Sequence, residues 1–239
     1  MMTTIRVEDG TEMRVFVARP EGSRRVPGIM VFQEAYGVNA HIRDVTERFA
    51  RSDYLAAAPE LFHRTAPGFE GRYDDSATAM AETRKLTIEG LEADVRATFE
   101  FLRQDRACDG RVASVGFCMG GRVSFLANSI VPLAAAVSFY GGGIAPGLLD
   151  RAAKQHGKLL LFWGGLDRHI GFEQRSEVRQ ALDQAGKPYI HTVISYADHG
   201  FFCDQRPSYN PAAARDAWAL TMSFLSGEVA ASAGSPGAR

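Results

Sequence analysis

Cysteine is scarce in this chain of 239 residues: there are three, Cys108, Cys118 and Cys203, odd in number and widely spaced. That excludes a disulfide framework and leaves no zinc-ligand pattern, so no metal is expected. Each thiol is then either buried filler or a working group in a reducing cytoplasm. An excess of charge of one sign is also missing. Lys and Arg total 27 against 28 Asp and Glu, a formal net charge of −1. No basic footprint is left for nucleic acid or an anionic membrane surface. Long apolar runs are absent too. The longest, Pro132 to Tyr140, is far short of the roughly 20 residues a membrane helix needs. The N-terminal Met1-Met2-Thr3-Thr4-Ile5-Arg6 has no apolar signal-peptide region, and the expectation is a cytoplasmic protein.

What is present suits one large globular domain. Apolar residues make up 46% and charged residues 23%, ordinary for a globular chain with one sizeable core. Arg14 to Ala18 alternates weakly, as an edge strand would. Pro27 to Gln33 (PGIMVFQ) is apolar almost throughout, the mark of a strand covered on both faces. His41 to Arg51 has helical spacing, with Ile42, Val45 and Phe49 on one side. Tyr54 to Ala58 is a short strand stopped by Pro59. Ser76 to Arg103 looks helical with an interruption near Gly90, and Leu91, Val95, Phe99 and Leu102 form its buried stripe. Then follow a strand (Arg111 to Phe117), a helix (Gly121 to Asn128, starting at about Met119) and a strand (Leu133 to Phe139). Lys158 to Trp163, Phe172 to Ala185, Tyr189 to Ser195 and Ala212 to Leu225 complete a strand, helix, strand, helix series. The alternation predicts an α/β fold with a mostly parallel central sheet and helices on both faces. Residues 1–227 form this domain, with no internal repeat or linker to divide it. Residues 228–239 are small and polar and are expected to be a disordered tail.

The strongest local signal is Gly116-Phe117-Cys118-Met119-Gly120-Gly121, between a strand and a helix. This has the form of a nucleophile elbow, with Cys in place of the commoner Ser. Its turn is so sharp that the residues two before and two after the nucleophile must be small, and here both are Gly. Such a turn sets the sulfur at a helix N-terminus, where orphan N–H groups favour a thiolate. The alternative is a buried Cys in an ordinary glycine-rich turn. A dinucleotide fingerprint does not fit, because the spacing is not G-x-G-x-x-G.

A thiol needs a base. The elbow belongs to the α/β-hydrolase fold, whose order along the chain is nucleophile, acid, histidine. Of six histidines, only His199 lies after the last predicted strand and before the last helix. His191 is inside a strand, and His41 and His63 precede the elbow. The acid should follow the next-to-last strand, and Gly164-Gly165-Leu166-Asp167 places Asp167 there to orient an imidazole. Asp167 could equally serve a turn or cap a helix. Asp198 is the rival acid, but neighbouring side chains diverge, which favours Asp167. Glu34 falls in the loop after PGIMVFQ, where this fold places its second oxyanion donor.

At these motifs the sequence resembles the dienelactone hydrolase (carboxymethylenebutenolidase) family. The matching segments are QEAYGVN, FARSDYLAAAPELFHR, GFCMGG, GGLD, HGFFCDQR and YNPAAARDAW, spread over about residues 28 to 225. The resemblance implies Cys118, Asp167 and His199 as a catalytic triad, with Glu34 contacting the resting thiol and taking its proton when substrate displaces it. It implies the backbone N–H groups of Ala35 and Met119 as the oxyanion hole. It also implies an acyl-enzyme intermediate, with an enolate leaving group helping it form. One position departs from the family pattern. An Arg four residues after the histidine helps hold a substrate carboxylate there, and here that position is Cys203. Arg206 and Arg84 are the nearest substitutes. The expectation is a cofactor-free hydrolase of a small activated ester or lactone. The alternatives are a general carboxylesterase or thioesterase on the same residues, and a non-catalytic ligand-binding module of this fold.

Overall fold

A computed structural model describes residues 1–231. Eight strands form one sheet in the order β1-β2-β4-β3-β5-β6-β7-β8. They are β1 (Met2–Arg6), β2 (Glu12–Ala18), β3 (Val26–Phe32), β4 (Leu55–Pro59), β5 (Cys108–Phe117), β6 (Ala135–Phe139), β7 (Lys158–Gly164) and β8 (Tyr189–Ile194). β1 and β2 pair antiparallel, as do β2 and β4, and every other pairing is parallel. The helices are α1 (Ala40–Arg51), α2 (Ser76–Thr83), α3 (Ile88–Gln104), α4 (Met119–Ile130), α5 (Phe172–Gln184) and α6 (Pro211–Ala231). α1 and α6 cover one face of the sheet and meet through the Phe49 and Trp218 rings, 4.8 Å apart. α3 and α4 pack on the other face. This is the α/β-hydrolase arrangement the alternation predicts.

Buried strands explain the apolar runs. β4 is buried at every position, as are β6 and all of β3 except Pro27, because helices lie above and below. The predicted stripes do face inward: Ile42, Val45 and Phe49 on α1, and Leu91, Val95, Phe99 and Leu102 on α3.

Three expectations need correction. Arg14 to Ala18 is not an edge strand, since β1 pairs along the outer side of β2. β1 escapes sequence reading because MTTIR holds a single strong apolar β-former after its Met. The break between α2 and α3 falls before Thr87, not at Gly90. The Thr87 hydroxyl accepts from the Gly90 N–H and caps α3, so Gly90 sits in a first turn where its low propensity matters little. The last helix ends later than the expected Leu225, because α6 runs on to Ala231. The Arg111 guanidinium donates to the Val229 carbonyl and ties down that last stretch. The rest of the expected tail, residues 232–239, lies outside the described residues. Among the described residues no helix is long and apolar enough to cross a membrane.

Candidate active site

The parallel strands bring their C-terminal ends to one edge of the sheet, where ligands of such sheets bind. Glu34 follows β3, Cys118 follows β5, Asp167 follows β7 and His199 follows β8.

Cys118 sits between β5 and α4 with φ 55° and ψ −116°, a left-handed backbone that few non-glycine residues adopt. The two flanking glycines are required by close approach. A Cβ on Gly116 would lie 1.8 Å from the Gly120 carbonyl oxygen, and one on Gly120 would lie 2.2 Å from that of Phe32. The turn therefore closes only with hydrogen at both positions, and it lifts the thiol, partly exposed, to the start of α4.

His199 and Asp167 are both buried. His199 Nδ1 lies 2.8 Å from Asp167 Oδ2. The other carboxylate oxygen accepts the backbone N–H groups of His169 (2.8 Å) and Ile170 (3.1 Å), which fixes its plane. Burial opposes the charged form of Asp167, but the His199 bond and these two N–H groups win and hold its carboxyl below the usual range. Cys118 and His199 line the same cleft, and the sulfur's charge acts on the imidazole. Burial works against protonated His199, yet the sulfur's negative charge and the bond to Asp167 outweigh it, and the pKa rises to about 10. Such an arrangement can store a proton on the ring and charge on the sulfur. The rival acid Asp198 is exposed, and its Oδ1 accepts the backbone N–H of His199, 2.6 Å away, rather than the ring. Of the other histidines, His63 is paired with Asp94 at 3.0 Å and His191 packs beside Trp163, both outside the cleft lining.

Glu34 is held from two sides. It is fully buried, and both carboxylate oxygens are taken. Arg206 Nη1 donates to Oε1 at 3.0 Å and the Tyr73 hydroxyl donates to Oε2 at 3.1 Å. Arg206 also lies over the Tyr36 and Tyr73 rings, 5.8 and 5.9 Å from their centroids. Burial alone would loosen its proton, but the Glu34 charge more than reverses this.

A cleft of about 490 Å³ opens over these groups, lined among others by Ala35, Cys118, Met119, Arg122, His199 and Arg206. Ala35 and Met119 line the same cleft as the thiol. Two residues proposed for substrate binding do not stand there. Arg84 is exposed at the end of α2, outside the wall, where its neighbours Met80 and Thr83 take the place. Cys203 is fully buried beneath the cleft against Tyr73, and burial pushes its thiol up to about 12. Its donor atom lies within 4.8 Å of those of Glu34 and His41. Glu34 is already committed to Arg206 and Tyr73, so this trio is not a free ligand set for a metal.

Sequence reading missed Tyr73, which reaches Glu34 from a loop without periodicity, and Arg122. The latter did have a signal: it is four residues after Cys118, hence one turn further along the same helix face. His169 and Tyr140 complete the surroundings, their rings 5.4 and 5.0 Å from that of His199.

A profile of the dienelactone hydrolase family matches residues 13–229. The "Putative carboxymethylenebutenolidase" of Synechocystis sp. is 38% identical over 215 residues, covering 85% of this chain and 87% of that protein. The protein of the same name from Escherichia coli K12 is 34% identical over 222 residues, covering 87% and 80%. Among solved structures, the "Putative Dienelactone Hydrolase" of Klebsiella pneumoniae superposes with a TM-score of 0.84 at 29% identity, covering 95% of this chain and 98% of that one. With its elbow, its sheet order and these matches along most of its length, the chain belongs to the dienelactone hydrolase family, and so to the carboxylic ester hydrolases.

Proposed function

We propose that this protein hydrolyses a small activated ester or lactone through Cys118, His199 and Asp167. The observation that supports this most directly is the His199 ring, held at 2.8 Å by a buried carboxylate and lining one cleft with the elbow thiol. His199 carries the proton in the resting site, and the sulfur attacks the ester carbonyl carbon. The carbonyl oxygen becomes an oxyanion facing the Ala35 and Met119 N–H groups. The C–O bond breaks, the leaving oxygen takes the proton from His199, and the acyl group stays on sulfur as a thioester. Water then loses a proton to His199 and attacks the thioester, and the C–S bond breaks to return the thiolate. Asp167 orients the ring and stabilises its protonated form throughout.

Glu34 has a structural part in this scheme, because Arg206 and Tyr73 hold its oxygens. His199 is therefore the base for the thiol. The test is acid quenching during turnover of p-nitrophenyl acetate, followed by peptide mass spectrometry. An acetyl group on the Cys118 peptide is expected. Sustained turnover with acyl groups only on other residues, or on none, overturns the covalent route.

A further inference from the structure

Arginines in this fold usually have a partner. Arg64 pairs with Asp94, Arg151 with Glu92, and Arg206, at the cleft, with Glu34. Arg122 is different. It sits one turn along α4 from Cys118 and lines the cleft. Its Nε is buried with no hydrogen-bond partner, and among the described residues no carboxylate lies within ion-pairing distance of its guanidinium. Burial pulls its proton affinity down, and the charge of Cys118 pulls the other way. An unpaired, partly desolvated guanidinium is costly, and its fork geometry matches a carboxylate.

The surroundings leave room for the group. Gly143, in the loop after β6, has φ +83°, and a Cβ there would lie 3.3 Å from both Cδ and Nη1 of Arg122. The sheet order puts β5 between β3 and β6. Arg206 is thus held with Glu34 on the β3 side of the thiol, while Arg122 stands against the loop on the β6 side. One cation is neutralised within the protein and the other is not.

We infer that Arg122 is an anion-binding residue of the cleft, which takes a carboxylate carried by the substrate on the β6 side of Cys118. This rests on Cys118 being the group that meets the substrate. Arg122 gives such a carboxylate a partner that neither Cys203 nor the neutralised Arg206 supplies.

Two alkylating reagents of nearly equal shape, iodoacetate and iodoacetamide, test this at Cys118. Both lose iodide as the sulfur forms a bond to carbon, and only the first carries a carboxylate. Cys108 and Cys203 are buried, so labelling is read at Cys118 by peptide mass spectrometry. The ratio of the two rate constants cancels any change in thiolate population. Replacing Arg122→Met is expected to lower the iodoacetate-to-iodoacetamide ratio about tenfold, the factor for about 1.4 kcal/mol of binding. Arg122→Lys, which keeps the charge without the fork, should fall between the two. A second measurement needs only the wild-type chain: propionate, and not propionamide, should protect Cys118 from iodoacetamide. An unchanged ratio in a folded Arg122→Met variant, or equal protection by the two additives, overturns the inference and leaves Cys118 as the nucleophile. No alkylation of native Cys118 by either reagent overturns both.

Discussion

Arg206 Nη1 lies 3.0 Å from Glu34 Oε1, a contact between residues 172 positions apart that closes one wall of the cleft. Removing one partner of a buried pair strands the other charge, at a cost of about 3 kcal/mol or more. Arg206→Ala should therefore lower the thermal midpoint clearly. Adding Glu34→Gln should recover part of the loss, because the stranded charge is gone while an oxygen can still accept from Tyr73. Thermal melts of the single and double variants read this. A double variant less stable than Arg206→Ala would contradict it.

The two candidate acids separate cleanly. Asp167 bonds the imidazole, whereas exposed Asp198 accepts only its neighbour's backbone N–H. Asp167→Asn should reduce kcat/KM for an aryl ester by roughly a hundredfold or more, since an amide cannot hold the protonated ring. His199→Ala should cost more still, as it removes the base itself. Asp198→Asn should stay within about threefold of wild type, being a surface change away from the ring. Steady-state kinetics of the three variants decide the assignment.

The His199 imidazole should titrate far above an ordinary histidine, near 10 against 6.5. Burial resists this, and the charge on Cys118 together with the Asp167 bond drives it. Because the folded pKa is the higher one, protonated His199 contributes stability that is full below about 6.5 and lost as pH rises towards about 10. The melting gap between wild type and His199→Gln should therefore narrow across that window. In Cys118→Ala the imidazole midpoint, followed by NMR, should fall, because the negative sulfur is gone. A midpoint unchanged by that substitution would remove the thiol from the account.

Local and ordered features were the legible ones. GFCMGG announces its turn because backbone oxygens stand where the Gly116 and Gly120 side chains would be. Asp167 and His199 could be placed by strand order alone, since the parallel sheet delivers successive strand ends to one edge. Contacts across the fold were not legible. No spacing rule joins Glu34 to Arg206, and Tyr73 reaches the carboxylate from an irregular segment. The position four after His199 looked like a binding site by family pattern, yet Cys203 is buried below the cleft. The unpaired cation instead comes from α4, where helical spacing from Cys118 does predict a shared face but says nothing of the missing partner.

The central claim is that Cys118 is the nucleophile, and the most direct test is kcat/KM for p-nitrophenyl acetate in Cys118→Ala. The alanine keeps the elbow's glycines, so the variant should fold with a thermal midpoint close to wild type. Loss of a nucleophile in an acyl-transfer site removes several orders of magnitude in rate, and a fall of about 10³-fold or more is predicted. A folded Cys118→Ala variant that kept more than about a tenth of wild-type kcat/KM would contradict the account, because hydrolysis would then proceed without the covalent intermediate.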